Sequence, residues 1–225
     1  GVKSKIKELL TTECNLHTIV RLPNGVFSPY TGIKTNILFF TKGTPTTDIW
    51  FYEHPYPDGV KNYNKTKPMK FEEFSTEIEW WGDESDGFAA RVENDQAWKV
   101  DFAAEKAQAR LDAKPHWDKA IEIKRSIERL KNELLETKAL LKVAKEEKAD
   151  SKALDKTIKT LGKKINDLDA QARASQKAGD DVYYAVFNFD IKNPFQEEIV
   201  VHDPATLLTA YQTQQDEIQG LRDQL

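Results

Sequence analysis

Between Ala103 and Ala178 the chain holds one proline, Pro115, and one glycine, Gly162, with Lys and Glu interleaved throughout. Within that stretch Ala120, Ile123, Ile127, Leu130, Leu134, Thr137, Leu141 and Ala144 alternate steps of three and four. After a polar break, Glu146-Glu-Lys-Ala-Asp-Ser151, the pattern restarts at Leu154, Ile158, Leu161, Ile165, Leu168 and Ala172. A stripe with this period must be covered along its whole length, and two arms joined by a short turn cover each other. The spacing therefore predicts a long antiparallel coiled-coil hairpin over residues 103–178, its surrounding charges a solvated face.

Composition agrees with a large helical surface beside a modest core. Of 225 residues 39% are hydrophobic and 31% charged, with a mean hydropathy of −0.65. The net charge of −4 does not by itself suggest a nucleic-acid binder, although local basic patches can sit on an acidic chain. A lone cysteine, Cys14, allows neither a disulfide nor a Cys-based zinc site and fits a reducing, cytoplasmic setting. It reads as a small residue near a helix-to-strand junction. No apolar run approaches the ~20 residues of a membrane span. The chain opens on Gly1 and not on Met, which reads as a boundary within a longer polypeptide.

Before the hairpin, residues 3–13 place Ile6, Leu9 and Leu10 on one helical face. Leu16–Leu22 reads as a strand, and Ile37-Leu-Phe-Phe40 as a second strand buried on both faces. Asp48–Glu53 forms a third strand. Residues 54–75 are rich in loops, with a short helix opening at Pro68. Residues 76–102 read as irregular structure pinned by Trp80, Trp81, Phe88 and Trp98. After the hairpin, Val182–Pro194 has extended character, and a last helix follows Asp203-Pro204 to Leu225. Three regions result: 1–102, 103–178 and 179–225.

Chemistry is sparse. His17, His54, His116 and His202 sit in unrelated contexts, no Gly-x-Ser-x-Gly is present, and no His or Cys pair has metal-ligand spacing. Asp83, Glu84 and Asp86 read as a solvated loop, and His54 as a loop residue. The glycines are scattered singly, so no phosphate-cradling loop is expected. Asn193-Pro194-Phe195 looks like part of an adenine methyltransferase motif but lacks its second proline, and reads as the end of the extended segment.

The most informative stretch for function is Val20 to Lys42. A long loop of Pro, Asn, Gly and aromatics, Pro23 to Lys34, lies between two β runs, where a structural connection can be much shorter. Cys14–Phe27 with Gly32–Phe40, Ile49–Tyr52 with Asn64–Pro68 and Phe71–Phe74, and Trp98-Lys-Val100 with Asn188–Pro194 resemble type I restriction-modification system modification subunits. These are adenine-N6 DNA methyltransferases. The resemblance implies an α+β chain: a C-terminal remnant of a Rossmann-like methyltransferase sheet, made of an antiparallel strand pair and a flanking helix. The coiled-coil hairpin and a C-terminal assembly helix then follow.

By the same resemblance S-adenosylmethionine serves the full-length protein, while this part lacks the cofactor loop and catalytic motif, binds no cofactor and is inactive alone. Pro23, Asn24, Gly25, Phe27, Tyr30 and Lys34 would border the pocket for a flipped adenine, Phe27 or Tyr30 stacking on it. Two other readings stay open: Phe27 plugging the end of the sheet, and Lys34 as a solvated strand-end lysine. The specificity and restriction subunits would be partners beside DNA, with Leu207, Leu208, Tyr211, Ile218 and Leu221 as contacts, unless that face packs within the chain. The competing hypothesis is a coiled-coil scaffold or adaptor whose small β portion is a docking module.

Overall fold

The computed structural model describes residues 1–195 and 204–222. The chain forms two compact units, Gly1–Asn193 and Pro194–Leu225. The first runs α1 (Val2–Glu13), β1 (Cys14–Leu22), β2 (Thr35–Lys42), β3 (Asp48–Glu53), α2 (Ser75–Trp80), β4 (Ala97–Asp101), α3 (Phe102–Glu146) and α4 (Lys152–Ala185). The second holds α5 (Pro204–Arg222). The class is α+β, mostly helical, around one mixed sheet.

Strand order is β2-β1-β3-β4. β1 pairs antiparallel with β2, Val20 opposite Ile37, and parallel with β3, Val20 opposite Tyr52. β3 pairs antiparallel with β4, Phe51 opposite Trp98. The short crossing from β2 to β3 is tied to the α1–β1 junction by Thr46. Its hydroxyl donates to Cys14 O and accepts from Leu16 N, both at 2.8 Å. Because β1 and β3 are parallel, their C-terminal ends lie side by side, and the loops after Leu22 and Glu53 leave the same edge.

Both sheet faces are covered. Leu16, Ile19, Ile49, Phe51 and Trp98 pack against Phe102, Ala113, Tyr183, Phe187 and Phe189, which come from the root of the helix pair and the segment after it. On the other face Val20, Leu22, Tyr52 and Ala97 pack against Phe39, Phe74, Trp80 and Trp81.

The strand buried on both faces is therefore β1, not β2. At the sheet edge Ile37 is 37% and Phe40 51% exposed. Residues 97–101, expected to be irregular, are β4, and Trp98 stacks on Phe51 across the pair at 5.3 Å. The extended run expected from Val182 begins as helix instead. α4 continues to Ala185 because Tyr183 and Phe187, four residues apart, both fill the core, and the Tyr183 hydroxyl donates to Glu8 at 2.8 Å. The inward face of α1 carries Lys7, Glu8 and Thr11, while Ile6 and Leu9 are 61% and 55% exposed. Leu10 packs against the core as expected, and beside it Lys7 Nζ donates to Phe187 O at 2.9 Å, so hydrogen bonds join apolar burial in orienting this helix.

β4 passes directly into α3, whose first turn is capped by the Asp101 carboxylate accepting from Ala104 N at 2.8 Å. α3 and α4 run antiparallel along their lengths, joined by residues 147–151. Every position of the expected seam, Ala120 to Ala144 and Leu154 to Ala172, is buried or partly buried. Near the sheet the helices approach so closely that a Cβ on Gly179 would lie 2.6 Å from the Trp117 ring. The Trp117 indole N–H donates to Asp180 at 2.9 Å beside it.

In the second unit Leu207, Leu208, Tyr211, Ile218 and Leu221 all lie on α5 and are exposed. The expected cap Asp203 and the final Leu225 lie outside the described residues.

Candidate functional site

Ligand sites in sheets with parallel strands form beyond the strands' C-terminal ends. Here that edge belongs to β1 and β3, and two loops build on it, residues 23–34 and 54–70. Gly25 fastens the first loop to the second. Its φ is +83°, and a Cβ there would meet Tyr63 O at 2.1 Å and Asn62 Oδ1 at 2.4 Å, so only glycine fits. The Tyr56 hydroxyl donates to Asn24 O at 3.0 Å, reinforcing the seam. Backbone turns close the loop, with Ser28 N donating to Gly25 O and Tyr30 N to Phe27 O.

Pro23 is buried, and Val26, not Phe27, packs onto the apolar cluster at the strand ends. Phe27 is left 48% exposed and Tyr30 94%, with the Asn24 side chain also exposed. Lys34, at the loop's far end, pairs with Glu53 at 2.6 Å and so ties the loop to the end of β3.

Beneath the loops lies a polar layer that no local motif announces. His54 follows β3, is 3% exposed, and its Nδ1 hydrogen-bonds the Glu77 carboxylate. Thr76 Oγ1 donates to the other Glu77 oxygen at 3.0 Å, and the His54 ring packs on Phe74. Instead of a free loop residue, His54 is a buried strut. The Tyr63 phenol donates to Glu73, and burial, then that bond, holds its pKa above the ordinary range. The partners of Gly25 and His54 are 20 to 40 positions away, which is why sequence reasoning missed them.

An apolar groove of about 480 Å³ opens alongside, between Ile37 and Phe39 of β2 and Phe71, Phe74 and Ile78. On the same sheet face, a polar cavity of about 530 Å³ is bordered by His17, Glu84, Arg91 and Lys99. The Arg91 guanidinium lies 3.7 Å from the Phe88 ring centroid and also faces Trp80 and Trp81. It donates to Thr18 Oγ1 and Trp81 O, each at 2.8 Å. Burial draws its pKa down to about 10.

Burial also lowers the pKa of His17, against the opposing pull of Glu84 and with help from Arg91. A histidine whose folded pKa lies below its unfolded value of 6.5 binds its proton better in the unfolded chain. Its contribution is complete above that value and is lost as pH falls towards the folded pKa. His17→Gln should therefore flatten the loss of melting temperature between about pH 7 and pH 5. Parallel melting curves for both proteins check this.

Chemically, the edge offers two outward aromatic faces and an amide on a loop held from below, suited to stacking on a planar ring. Among the described residues no group of His, Cys, Asp and Glu could hold a metal, and no helix is long and apolar enough to cross a membrane.

Comparison with known proteins assigns a family to this chain. The chain is 48% identical over its whole length to the type I restriction enzyme EcoEI methylase subunit of Escherichia coli, covering 30% of that relative. It is 32% identical over 110 residues to the EcoKI methylase subunit of Escherichia coli (strain K12), covering 45% of this chain and 20% of the relative. The crystal structure of the EcoKI M protein aligns at 34% identity over 40% of this chain and 20% of that one, with a TM-score of 0.34. The chain spans less than a third of the length of the curated relatives it matches. The family described as N-6 DNA Methylase matches residues 1–114, just over half of the chain, and the chain belongs to it.

Proposed function

We propose that this chain carries the target-base loop of a type I modification subunit that transfers a methyl group from S-adenosylmethionine to adenine N6 in DNA. The observation that supports this most is the loop geometry: Gly25 and Tyr56 hold residues 23–34 rigidly while Phe27 and Tyr30 stay exposed at the ends of β1 and β3. In this reading Phe27 or Tyr30 stacks on the extruded base, Asn24 contacts its edge, and Pro23, Gly25 and Lys34 set the loop's position. The sheet is the C-terminal remnant of a Rossmann-like methyltransferase sheet. The helix pair is a coiled-coil hairpin inserted between the 1–102 and 179–225 regions, and the setting is the cytoplasm. The α5 residues Leu207, Leu208, Tyr211, Ile218 and Leu221 meet the specificity subunit, and the restriction subunit joins that core.

The residues present do not fit S-adenosylmethionine. The glycines with positive φ, Gly25, Gly43, Gly59, Gly82 and Gly87, stand in separate turns, and none builds a cofactor cradle. We assign the cofactor and the transfer step to the rest of a longer protein, and expect no thermal shift of this chain with S-adenosylmethionine. A clear shift would overturn that assignment. The family membership leaves the scaffold reading without support.

The deciding assay is adenine methylation by the full-length protein with its specificity subunit. Stacking of a base on an aromatic contributes about 1–3 kcal/mol, so Phe27→Ala should slow methylation roughly tenfold. Tyr30→Ala is measured beside it, since either ring can be the one that stacks. Unchanged rates in both variants would refute the loop's role.

A further inference from the structure

We infer that the far end of the α3–α4 helix pair is a binding surface for the phosphate backbone of duplex DNA, separate from the target-base loop. Residues 138–164 carry nine lysines against four carboxylates, on a chain whose net charge is −4. The rest of the pair, residues 103–137 and 165–185, is nearly balanced, with ten basic and eleven acidic side chains. All nine lysines are exposed. The ion pairs of the helix pair fall elsewhere, at Lys114–Asp118, Lys131–Glu128 and Asp169–Arg173.

The lysines are ordered as well as numerous. Lys152, Lys156, Lys159 and Lys163 follow one another at intervals of four, three and four on α4. That spacing lines them along one face, away from the seam residues Leu154, Ile158 and Leu161. At 1.5 Å per residue the row is about 16 Å long. Lys138, Lys142 and Lys145 repeat the same spacing on α3. A duplex presents about one phosphate per 1.7 Å of its axis, so a straight row of this length can face several at once.

The row holds flexible point charges without Arg, Trp or Tyr, the residues that anchor protein interfaces, where lysine is depleted. The exposed apolar side chains near this end, Leu135, Leu140 and Val143, belong to α3 and not to the α4 row. Point charges in a line fit a backbone read without sequence preference. The choice of DNA among polyanions rests on the function proposed above.

The test is binding of the full chain to a fluorescent duplex across a salt series. Neutralising Lys152, Lys156, Lys159 and Lys163 to Gln should weaken binding at least tenfold near 0.1 M salt. The slope of log K against log salt should fall in magnitude by about 3.6, at about 0.9 per lost contact. A control with Lys119, Lys124, Arg125 and Arg129 changed to Gln should keep the wild-type slope. Circular dichroism reports whether both variants keep their helices; the positions are exposed and off the seam.

No binding by the wild-type chain, or an unchanged slope in the α4 variant, overturns the inference. So does equal affinity per charge for polyglutamate or phosphatidylserine vesicles. Methylation by the full-length assembly is read in parallel. An unchanged slope with methylation intact refutes the lysine row alone, and absent methylation with the slope change present refutes the methylase reading alone.

Discussion

Gly25→Ala is expected to lower stability by about 2–4 kcal/mol, with both a strained backbone and a steric overlap contributing. At a φ of +83° any L side chain is strained, and the new Cβ would lie 2.1 Å from Tyr63 O. That oxygen belongs to backbone and cannot swing aside as the Asn62 side chain can. The two loops must therefore part, which also breaks the bond from the Tyr56 hydroxyl to Asn24 O and uncovers Tyr63, now 2% exposed. Equilibrium denaturation reads the loss. A change below about 0.5 kcal/mol would show that the loop is not anchored on residues 62–63. In the full-length protein the same substitution should reduce methylation more than Phe27→Ala does, because it displaces every loop residue together.

Arg91→Ala should cost about 3–5 kcal/mol, the range for emptying a packed buried site and stranding its partners. Truncation leaves Thr18 Oγ1 and Trp81 O without their donor and removes the plate between Trp80, Trp81 and Phe88. Arg91→Met separates the causes. With burial drawing the Arg91 pKa down to about 10, holding the charge there works against folding. A methionine fills much of the space with no charge to desolvate, so it should lose clearly less than alanine. Equal losses for Met and Ala would mean that the hydrogen bonds of the guanidinium to Thr18 and Trp81, and not the packing, hold the aromatic segment on the sheet.

Much of the architecture can be read from local pattern. The seam from Ala120 to Ala172 is legible because the period of an apolar stripe is a property of neighbouring turns on one helix, whatever lies around it. The alternation and apolar runs of β1, β2 and β3 are local in the same sense, and so is the long loop after Leu22. What escaped depends on neighbours distant in the chain. β4 is short and sits among acidic and turn residues, so its strand character comes from pairing with β3. Tyr183 and Phe187 read as extended from propensity, but the core they fill is reached by continuing the helix. Of the apolar residues of α1, Leu10 meets the core but Ile6 and Leu9 do not, because the rest of its inward side is held by Lys7 and Glu8 through hydrogen bonds to residues more than 170 positions away.

The candidate site divides along the same line. Pro23, Asn24, Gly25, Phe27, Tyr30 and Lys34 stood out together because they lie in one loop. Their different roles did not, since Gly25 meets Tyr63, Asn24 meets Tyr56, Lys34 meets Glu53, and Val26 takes the packing position that would otherwise fall to Phe27. The sequence by itself determined the two long helices, three of the four strands and the loop between β1 and β2, because each is set by the order of apolar and turn residues along the chain. Only the tertiary structure decided that β3 runs parallel to β1 and brings the second loop under the first. That pairing joins residues about 30 positions apart, and no local period encodes which strand will be the neighbour.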